Sequence, residues 1–365
     1  MTDVKSYSCP SCGAPLEFSA DTQHLHCNAC GNDFDRGNLD ELLQTDEEMS
    51  RESRFDWDSY TPREYTPDDT IRLSDYACPS CGAEITGDDT LGAAVCPYCG
   101  GATIIKKQFE GTLKPDLVIP FKIDKKTAVA KFKEACKKAP FLPDSFTEEK
   151  KLEEMSGLYV PFWLFGCDCD ATMQFSAEKI TCWSDSKYDY TKTDHYRLIR
   201  AGEMGFDNLP VDGSLAIDND YMEALEPFEY EDAVPFDTAF LAGFLANKYD
   251  VSAKECEPRA NERIEESAER YLRDTTTDFQ GVCKEKENVS FSHGKVRYAL
   301  LPVWMLSMRY EDKVYRYAVN GQTGKVVGEY PTCKKKKRRY FRNTFAIWAL
   351  ITLGVVAVLE LLSRL

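Results

Sequence analysis

Several catalytic signatures are missing from this 365-residue chain. A phosphate-cradling P-loop needs four residues between its glycines and a Ser or Thr after the Lys. Gly321-Gln-Thr-Gly324-Lys325 has two, and Val326 follows, so it reads as a turn. A dinucleotide fingerprint, a His-Glu-x-x-His helix and a Gly-x-Ser-x-Gly elbow are absent as well, and with them the sequence case for an enzyme. Cations are in deficit: 45 Lys and Arg face 61 Asp and Glu, a formal charge of −16. Residues 1–110 carry 21 acidic and 8 basic side chains. Phosphate backbones are gripped by clustered cations that release counterions, so nonspecific nucleic-acid binding is unlooked for here and a protein partner fits better. No apolar leader precedes Cys9, which points to a reducing cytoplasm and away from disulfides.

Cysteine, by contrast, is plentiful, with 15 residues. Cys78-Pro-Ser-Cys81-Gly is followed after fourteen residues by Cys96-Pro-Tyr-Cys99-Gly. Two Cys-x-x-Cys pairs can close a tetrahedron on one Zn²⁺, each pair forming a knuckle at a hairpin tip. The glycine after each pair suits a backbone conformation in which a side chain would be costly. Cys9-Pro-Ser-Cys12-Gly and Cys27-Asn-Ala-Cys30-Gly repeat the arrangement 69 residues upstream, an internal duplication. Two zinc ribbons and two Zn²⁺ ions are expected, with Cys9, Cys12, Cys27, Cys30, Cys78, Cys81, Cys96 and Cys99 as ligands. His24 and His26 read as strand residues beside Cys27.

The order of parts along the chain is a first ribbon at 1–36, an acidic linker at 37–76 and a second ribbon at 77–105. An α+β domain follows at 106–333, then a basic collar at 334–342 and an apolar helix at 343–365. The linker opens with a short helix, Leu39 to Met49, behind Asn38 as N-cap. Beyond it Phe55, Trp57, Tyr60 and Tyr65 read either as aromatics docked on a neighbour or as an acidic-aromatic peptide for a partner. In the larger domain, Leu117 to Ile123 is a strand candidate. A helix follows with Ala128, Val129, Phe132, Ala135 and Cys136 on one face. The phrase Leu158-Tyr-Val-Pro-Phe-Trp-Leu-Phe165 returns as Ala299-Leu-Leu-Pro-Val-Trp-Met-Leu306. Before the later copy lies a second helix striped by Ala260, Ile264, Ala268, Tyr271 and Leu272. These repeats predict two degenerate α+β units on an antiparallel sheet. Pro161 and Pro302 predict edges or bulges, since proline cannot donate to a ladder. Val314 to Val319, the turn at Asn320-Gly321 and Thr323-Gly324, and Lys325 to Gly328 predict a hairpin. Seven further cysteines remain. Cys167 and Cys169 fall on one side of a strand and read as small core residues, with paired thiol chemistry as the alternative. His195 reads as a surface histidine.

At the C-terminus Lys334, Lys335, Lys336, Lys337, Arg338, Arg339 and Arg342 precede fifteen uncharged residues, Phe345 to Leu359. Eighteen helical residues rise about 27 Å, enough to cross a roughly 30 Å hydrocarbon core with aromatic and basic anchors. The positive-inside rule puts the collar and everything before it in the cytoplasm. A single-pass, tail-anchored protein of the cell membrane is expected, its collar drawn to anionic lipid. Glu360 lies near the far end, facing headgroups or another membrane helix. The terminal Ser-Arg-Leu would lie across the membrane from any cytosolic receptor.

The twin Cys-Pro-x-Cys-Gly ribbons, Pro115-Asp-Leu-Val-Ile-Pro-Phe-Lys122, Tyr159-Val-Pro-Phe-Trp-Leu164, Leu301-Pro-Val-Trp304 and Asn320-Gly-Gln-Thr-Gly-Lys325, with a terminal apolar helix, resemble the bacterial TFIIB-type zinc-ribbon membrane proteins. Members of that family often carry the label of the replication-restart helicase PriA. With no ATP site, this chain does not support helicase activity. The resemblance implies work at the membrane beside flotillin-like (SPFH) and PspA-like proteins. The expected function is a protein-interaction scaffold in membrane stress. The alternative is a nucleic-acid or transcription module, because such ribbons also occur in polymerase-associated factors.

Overall fold

The computed structural model describes residues 7–10, 13–37, 39, 49, 53–66, 73–88, 96–101, 105–108 and 113–362, with the side chains of 88, 105–108 and 357–361 excepted. The contacts divide the chain into two compact units. One comprises 1–56, 167–206 and 261–294; the other comprises 57–166, 207–260 and 295–365. The expected helix Leu39 to Met49 falls mostly outside the described residues, although Leu39 and Met49 are buried.

In the first unit a three-stranded sheet pairs Glu17–Phe18 with Leu25–His26 and Leu25–His26 with Asp33–Phe34, all antiparallel. Its strands are two residues long and bury little beyond Leu25, so the fold here leans on the cysteines. The remainder of this unit comes from long strands that the sequence reading ended too early. One continues past the apolar phrase to span Ser156–Ser184, and Cys167, Cys169 and Ala171 are buried while Asp168 and Asp170 are exposed. That is the period-two signature of a half-buried strand. The others are Asp189–Asp212 and Gln280–Tyr310. The helix Ala253–Asp274 buries Ala260, Ile264, Ala268 and Leu272, four steps of one stripe. Tyr271, placed on that stripe by the sequence, is 61% exposed because it falls on the flank of the i+4 row.

The second unit holds the main sheet, which is mixed and not purely antiparallel. Leu117–Val118 runs parallel to the later phrase, with Leu117 opposite Ala299 and Val118 opposite Leu300. Leu245–Asn247 runs parallel to the earlier phrase, with Leu245 opposite Leu158 and Ala246 opposite Tyr159. Each half therefore lends its short strand to the long strand of the other half. Further contacts follow the same exchange. Trp163 Nε1 donates to Val251 O at 2.8 Å, and Trp304 Nε1 to Ile123 O at 3.1 Å. Gly213 N donates to Pro161 O, and Gly321 N to Pro302 O. The carbonyl of Gly213 accepts from Asp250 and Val251, and that of Gly321 from Lys122 and Ile123.

This exchange explains the prolines, which occupy neither edges nor bulges. Up to Leu300 the later strand pairs with 117–118, and from Val303 it pairs with Lys313–Asn320. Pro302 sits where one neighbour hands over to the next, a place that needs no donor. Pro161 occupies the equivalent handover after Tyr159. The helix Lys125–Lys137 is capped by Asp124, whose side chain accepts from Thr127 N at 2.8 Å. It buries Ala128, Phe132 and Cys136 against Trp304, Tyr317 and Val319.

The expected hairpin is present, with Ala318 opposite Val327 and Val319 opposite Val326. Its turn is a polar clamp. Asn320 is fully buried, its Oδ1 accepts from Gln322 N and Thr323 N, and its amide donates to Leu225 O and Pro227 O. A Cβ added at Gly321 would lie 2.6 Å from the Phe121 ring and 2.8 Å from Pro302 Cβ. Gly321→Ala is therefore expected to cost about 1–3 kcal/mol, read as a lower denaturant midpoint at unchanged slope.

The span read as a linker is structural. Leu73–Ala77 is a strand between Glu84–Asp88 and Ile105–Gln108. Trp57 meets Phe165 edge-on at 5.0 Å, Tyr60 meets Trp163 at 5.0 Å, and Tyr65 meets Phe236 at 6.2 Å. Trp57, Tyr60 and Tyr65 are therefore docked within the fold, which favours the docked-aromatic reading for them over a partner peptide; residues 50–52 and 67–72 lie outside the described residues. The second ribbon is likewise no separate module by its contacts. Its strand Glu84–Asp88 pairs with Leu245–Asn247, which joins it to the main sheet.

Candidate metal centres

The four knuckles share one backbone design. In the second ribbon Gly82 N donates to Cys78 O at 2.8 Å and Gly100 N to Cys96 O at 2.9 Å. In the first, Gly13 N donates to Cys9 O and Gly31 N to Cys27 O, each at 2.8 Å. All four glycines have φ between 69° and 76°, where a Cβ is disfavoured. In the second centre the turn brings both sulfurs of each knuckle into one cluster.

In the second centre the Sγ atoms of Cys78, Cys81, Cys96 and Cys99 all lie within 4.8 Å of one another. Cys78 and Cys99 are 3.6 Å apart and Cys81 and Cys96 are 3.7 Å apart. A tetrahedron of thiolates at about 2.3 Å from a metal has edges of about 3.8 Å, so this set fits a single ion. A disulfide would bring two sulfurs to about 2.05 Å, and all described cysteines are free. Burial pushes the Cys78 thiol up, but N–H donors of Cys81 and Ser80 outweigh it and bring it down to about 7. Burial holds Cys81 and Cys96 above the usual thiol range, so an incoming ion displaces protons there.

The first centre brings Cys9, Cys27 and Cys30 together, with Cys9 and Cys30 sulfurs at 3.6 Å. Cys12 lies outside the described residues. His26 Nδ1 pairs with Asp33 Oδ1 at 2.8 Å, and neither His24 nor His26 joins the sulfur cluster. Each centre has the donor set to hold one metal ion.

The two centres differ in their surroundings. Cys78, Cys96 and Tyr98 belong to the main core with Ile85, Ile119, Val303 and Met305. Ser307 Oγ donates to Pro97 O at 2.6 Å, and Arg316 Nε donates to Tyr98 O at 2.8 Å. A Cβ on Gly100 would lie 3.3 Å from Ser307 O, so this knuckle is seated on the strand. A buried ion pair supports the approach: Lys248 Nζ is 2.6 Å from Asp75, which also accepts from Thr86.

The remaining candidates divide. Cys167 and Cys169 are buried, and burial pushes their thiols up to about 12 and about 11, which fits inert core residues better than thiol chemistry. His195 is exposed beside Glu178 at 3.3 Å. In the collar Lys336 is tied down, donating to Leu142 O and Asp144 Oδ1, while Lys334, Lys335, Lys337, Arg338, Arg339 and Arg342 are exposed. The helix runs Lys334–Leu362, and its described large apolar side chains beyond Phe345 are exposed, Phe345 by 77% and Leu353 by 66%. Among the described residues no helix is long and apolar enough to cross a membrane. The side chains of 357–361, Glu360 included, lie outside that set.

The sequence reading missed a polar group beside the second centre: Tyr98, Asp212, Ser214, Asn247, Asp250 and Arg316. Aligning the two halves on Val211-Asp-Gly213 and Val319-Asn-Gly321 would have singled out Asp212 as the counterpart of Asn320.

The chain is 32% identical over 354 residues to "Uncharacterized protein YdjG" of Bacillus subtilis (strain 168), an alignment covering 96% of this chain and 98% of that one. The chain belongs to the YdjG family. No family model and no solved structure matches it. The likeness extends over nearly the whole of both chains.

Proposed function

We propose that this YdjG relative is a tail-anchored membrane scaffold, with two zinc-holding cytoplasmic ribbons and an α+β body that dock proteins at the inner leaflet. The observation that carries the reading is the helix Lys334–Leu362. It has six exposed cations in its first turns, followed by exposed Phe345, Ile347, Trp348, Leu350, Ile351 and Leu353. So much exposed apolar surface on one helix calls for a cover, and a bilayer covers all sides at once. The cations at its start suit an anionic leaflet, and an acidic body beside them is held close against its own repulsion. Zinc is the preferred ion because four thiolates in a closed tetrahedron are its structural coordination set. Membrane stress, with flotillin-like or PspA-like partners, is the setting that the family resemblance suggests.

The test is fractionation of cells producing the full chain or a chain ending at Arg342. The full chain should sediment with membranes, resist carbonate and need detergent, whereas the shortened chain should stay in the supernatant. A full chain recovered in the soluble fraction, or a shortened one still bound, would overturn the anchor. Cross-linking in intact cells, comparing wild type with a first-centre variant, then tests the scaffold role by which neighbours are lost.

A further inference from the structure

The two halves of the main sheet close their turns differently. In the later half Asn320 makes four hydrogen bonds. In the earlier half the equivalent residue is Asp212, 6% exposed. Its Oδ1 accepts from Ser214 N at 3.1 Å, while its Oδ2 is buried with no partner among the described residues. The hydroxyl of Tyr98, 2% exposed, is a second buried polar group without a partner. Asp212 Oδ2 and the Tyr98 hydroxyl are thus buried polar atoms without a partner among the described residues, whereas the Asn320 side chain is bonded at both ends within the fold.

Beside them opens a cleft of about 490 Å³, lined among others by Tyr98, Asn247, Asp250, Arg316 and Leu215. Asp250 uses Oδ2 to accept from Ser214 Oγ and Leu215 N, and its Oδ1 bonds no described residue. Asn247 Nδ2 donates to Ser214 Oγ at 2.5 Å, which turns its carbonyl oxygen away from that bond. Arg316 spends Nε on Tyr98 O, and its two terminal nitrogens bond no described residue. No ion pair joins Arg316 to Asp250. The cleft is thus lined by a guanidinium whose two terminal nitrogens, and a carboxylate one of whose oxygens, bond no described residue, with Glu84 also in its lining, so both signs of charge are offered to a small molecule.

We propose that this cleft binds a small molecule carrying an acid group and an ammonium a few bonds apart, the acid on Arg316 and the ammonium on Asp250 with the Tyr98 hydroxyl. A free amino acid has that chemistry, and so does an ethanolamine phosphate headgroup. The size of the cleft suits either. The inference stands on the second unit alone and does not depend on the membrane reading.

The experiment is calorimetric and thermal-shift titration of the full chain in detergent. The probes are single L-amino acids and O-phosphoethanolamine, each paired with its N-acetylated form and each amino acid also with its methyl ester. Saturable binding of at least one parent probe is expected, weakened about tenfold to a hundredfold when either charged end is blocked. Binding of amino acids alone names a free ligand, and binding of O-phosphoethanolamine alone names a headgroup. Asp250→Asn and Tyr98→Phe should weaken binding while metal content stays at two ions per chain. Failure of every parent probe, or blocked forms that bind as tightly as their parents, would overturn the proposal. So would two metal-replete variants that bind like wild type. The blocked-probe comparison uses wild-type protein, so it decides the matter even where a variant fails to fold.

Discussion

Cys96→Ser is expected to unfold the main sheet, where Cys27→Ser should leave it standing. Both variants lose one thiolate from a knuckle of the same design, and in each the metal content should fall from two ions to one. Their consequences differ because of what each centre touches. Cys96 is wholly buried and shares a core with Tyr76, Ile85, Ile119, Val303 and Met305. The strand Glu84–Asp88 between its two knuckles pairs on one side with Leu73–Ala77 and on the other with Leu245–Asn247. Releasing the ion frees the knuckle that Ser307 and Arg316 hold. Three strands then lose the covalent reason for their register. Structural zinc contributes roughly 10–16 kcal/mol of apparent binding free energy in isolated fingers. Here packing shares the task, and a loss of more than about 4 kcal/mol is expected.

Hydrogen exchange resolved by segment separates the two outcomes. In Cys96→Ser the amides of 158–165 and 299–306 should lose protection, and urea unfolding should broaden. In Cys27→Ser the same segments should exchange as in wild type, since the strands at Glu17–Phe18, Leu25–His26 and Asp33–Phe34 belong to the first unit. Equal protection in both variants would show that the second ion is a passenger on a sheet that folds without it.

How far the sequence could be read follows from the range of each interaction. A Cys-x-x-Cys-Gly knuckle is five residues long, and its sulfurs, its turn and its positive-φ glycine are all local, so the clusters of Cys9, Cys27 and Cys30 and of Cys78, Cys81, Cys96 and Cys99 were legible. The Asn320 to Lys325 turn was legible for the same reason. The helix Lys125–Lys137 carries its stripe and its Asp124 cap within one window. What escaped was pairing at long range. Nothing around Glu84 announces Leu245, 161 residues away, as its neighbour strand, and Leu245–Asn247 is too short to show a period. Parallel exchange between the halves hid behind the expectation that consecutive strands pair. Pro161 and Pro302 then pointed to edges, because the handover that excuses them exists only once both neighbours are known. The alternation Cys167-Asp-Cys-Asp-Ala171 was in plain view as a strand signal. What escaped was the continuation of that strand through the polar residues as far as Ser184. Asp212 looks like any acidic residue before a glycine until the two halves are aligned, and its burial shows only in the fold.

Those surroundings give Asp212→Asn an unusual sign: the variant should be more stable than wild type, and increasingly so as the pH rises. Burial lifts the Asp212 carboxyl to about 8; the N–H donors of Ser214 and Gly213 and the charge of Arg259 pull it down less than burial raises it, and Asp250 adds to the rise. A carboxyl raised in the folded state favours folding fully below its unfolded value near 4, and that contribution disappears as pH climbs through 8. Wild type therefore loses stability across pH 4 to 8, by several kcal/mol as an order of magnitude. Asparagine carries no such penalty, and the sister turn shows that an amide at this place can be fully bonded, as Asn320 is to Leu225 and Pro227. Measured above pH 6, where zinc stays bound, the difference in unfolding free energy between variant and wild type should widen toward pH 9. A constant difference would mean that Asp212 is already ionised at pH 6 and draws a donor from elsewhere in the folded chain. A widening one would mean that the chain keeps, at a cost in stability, a carboxylate its own duplicate does without, which is the pattern of a group retained for binding.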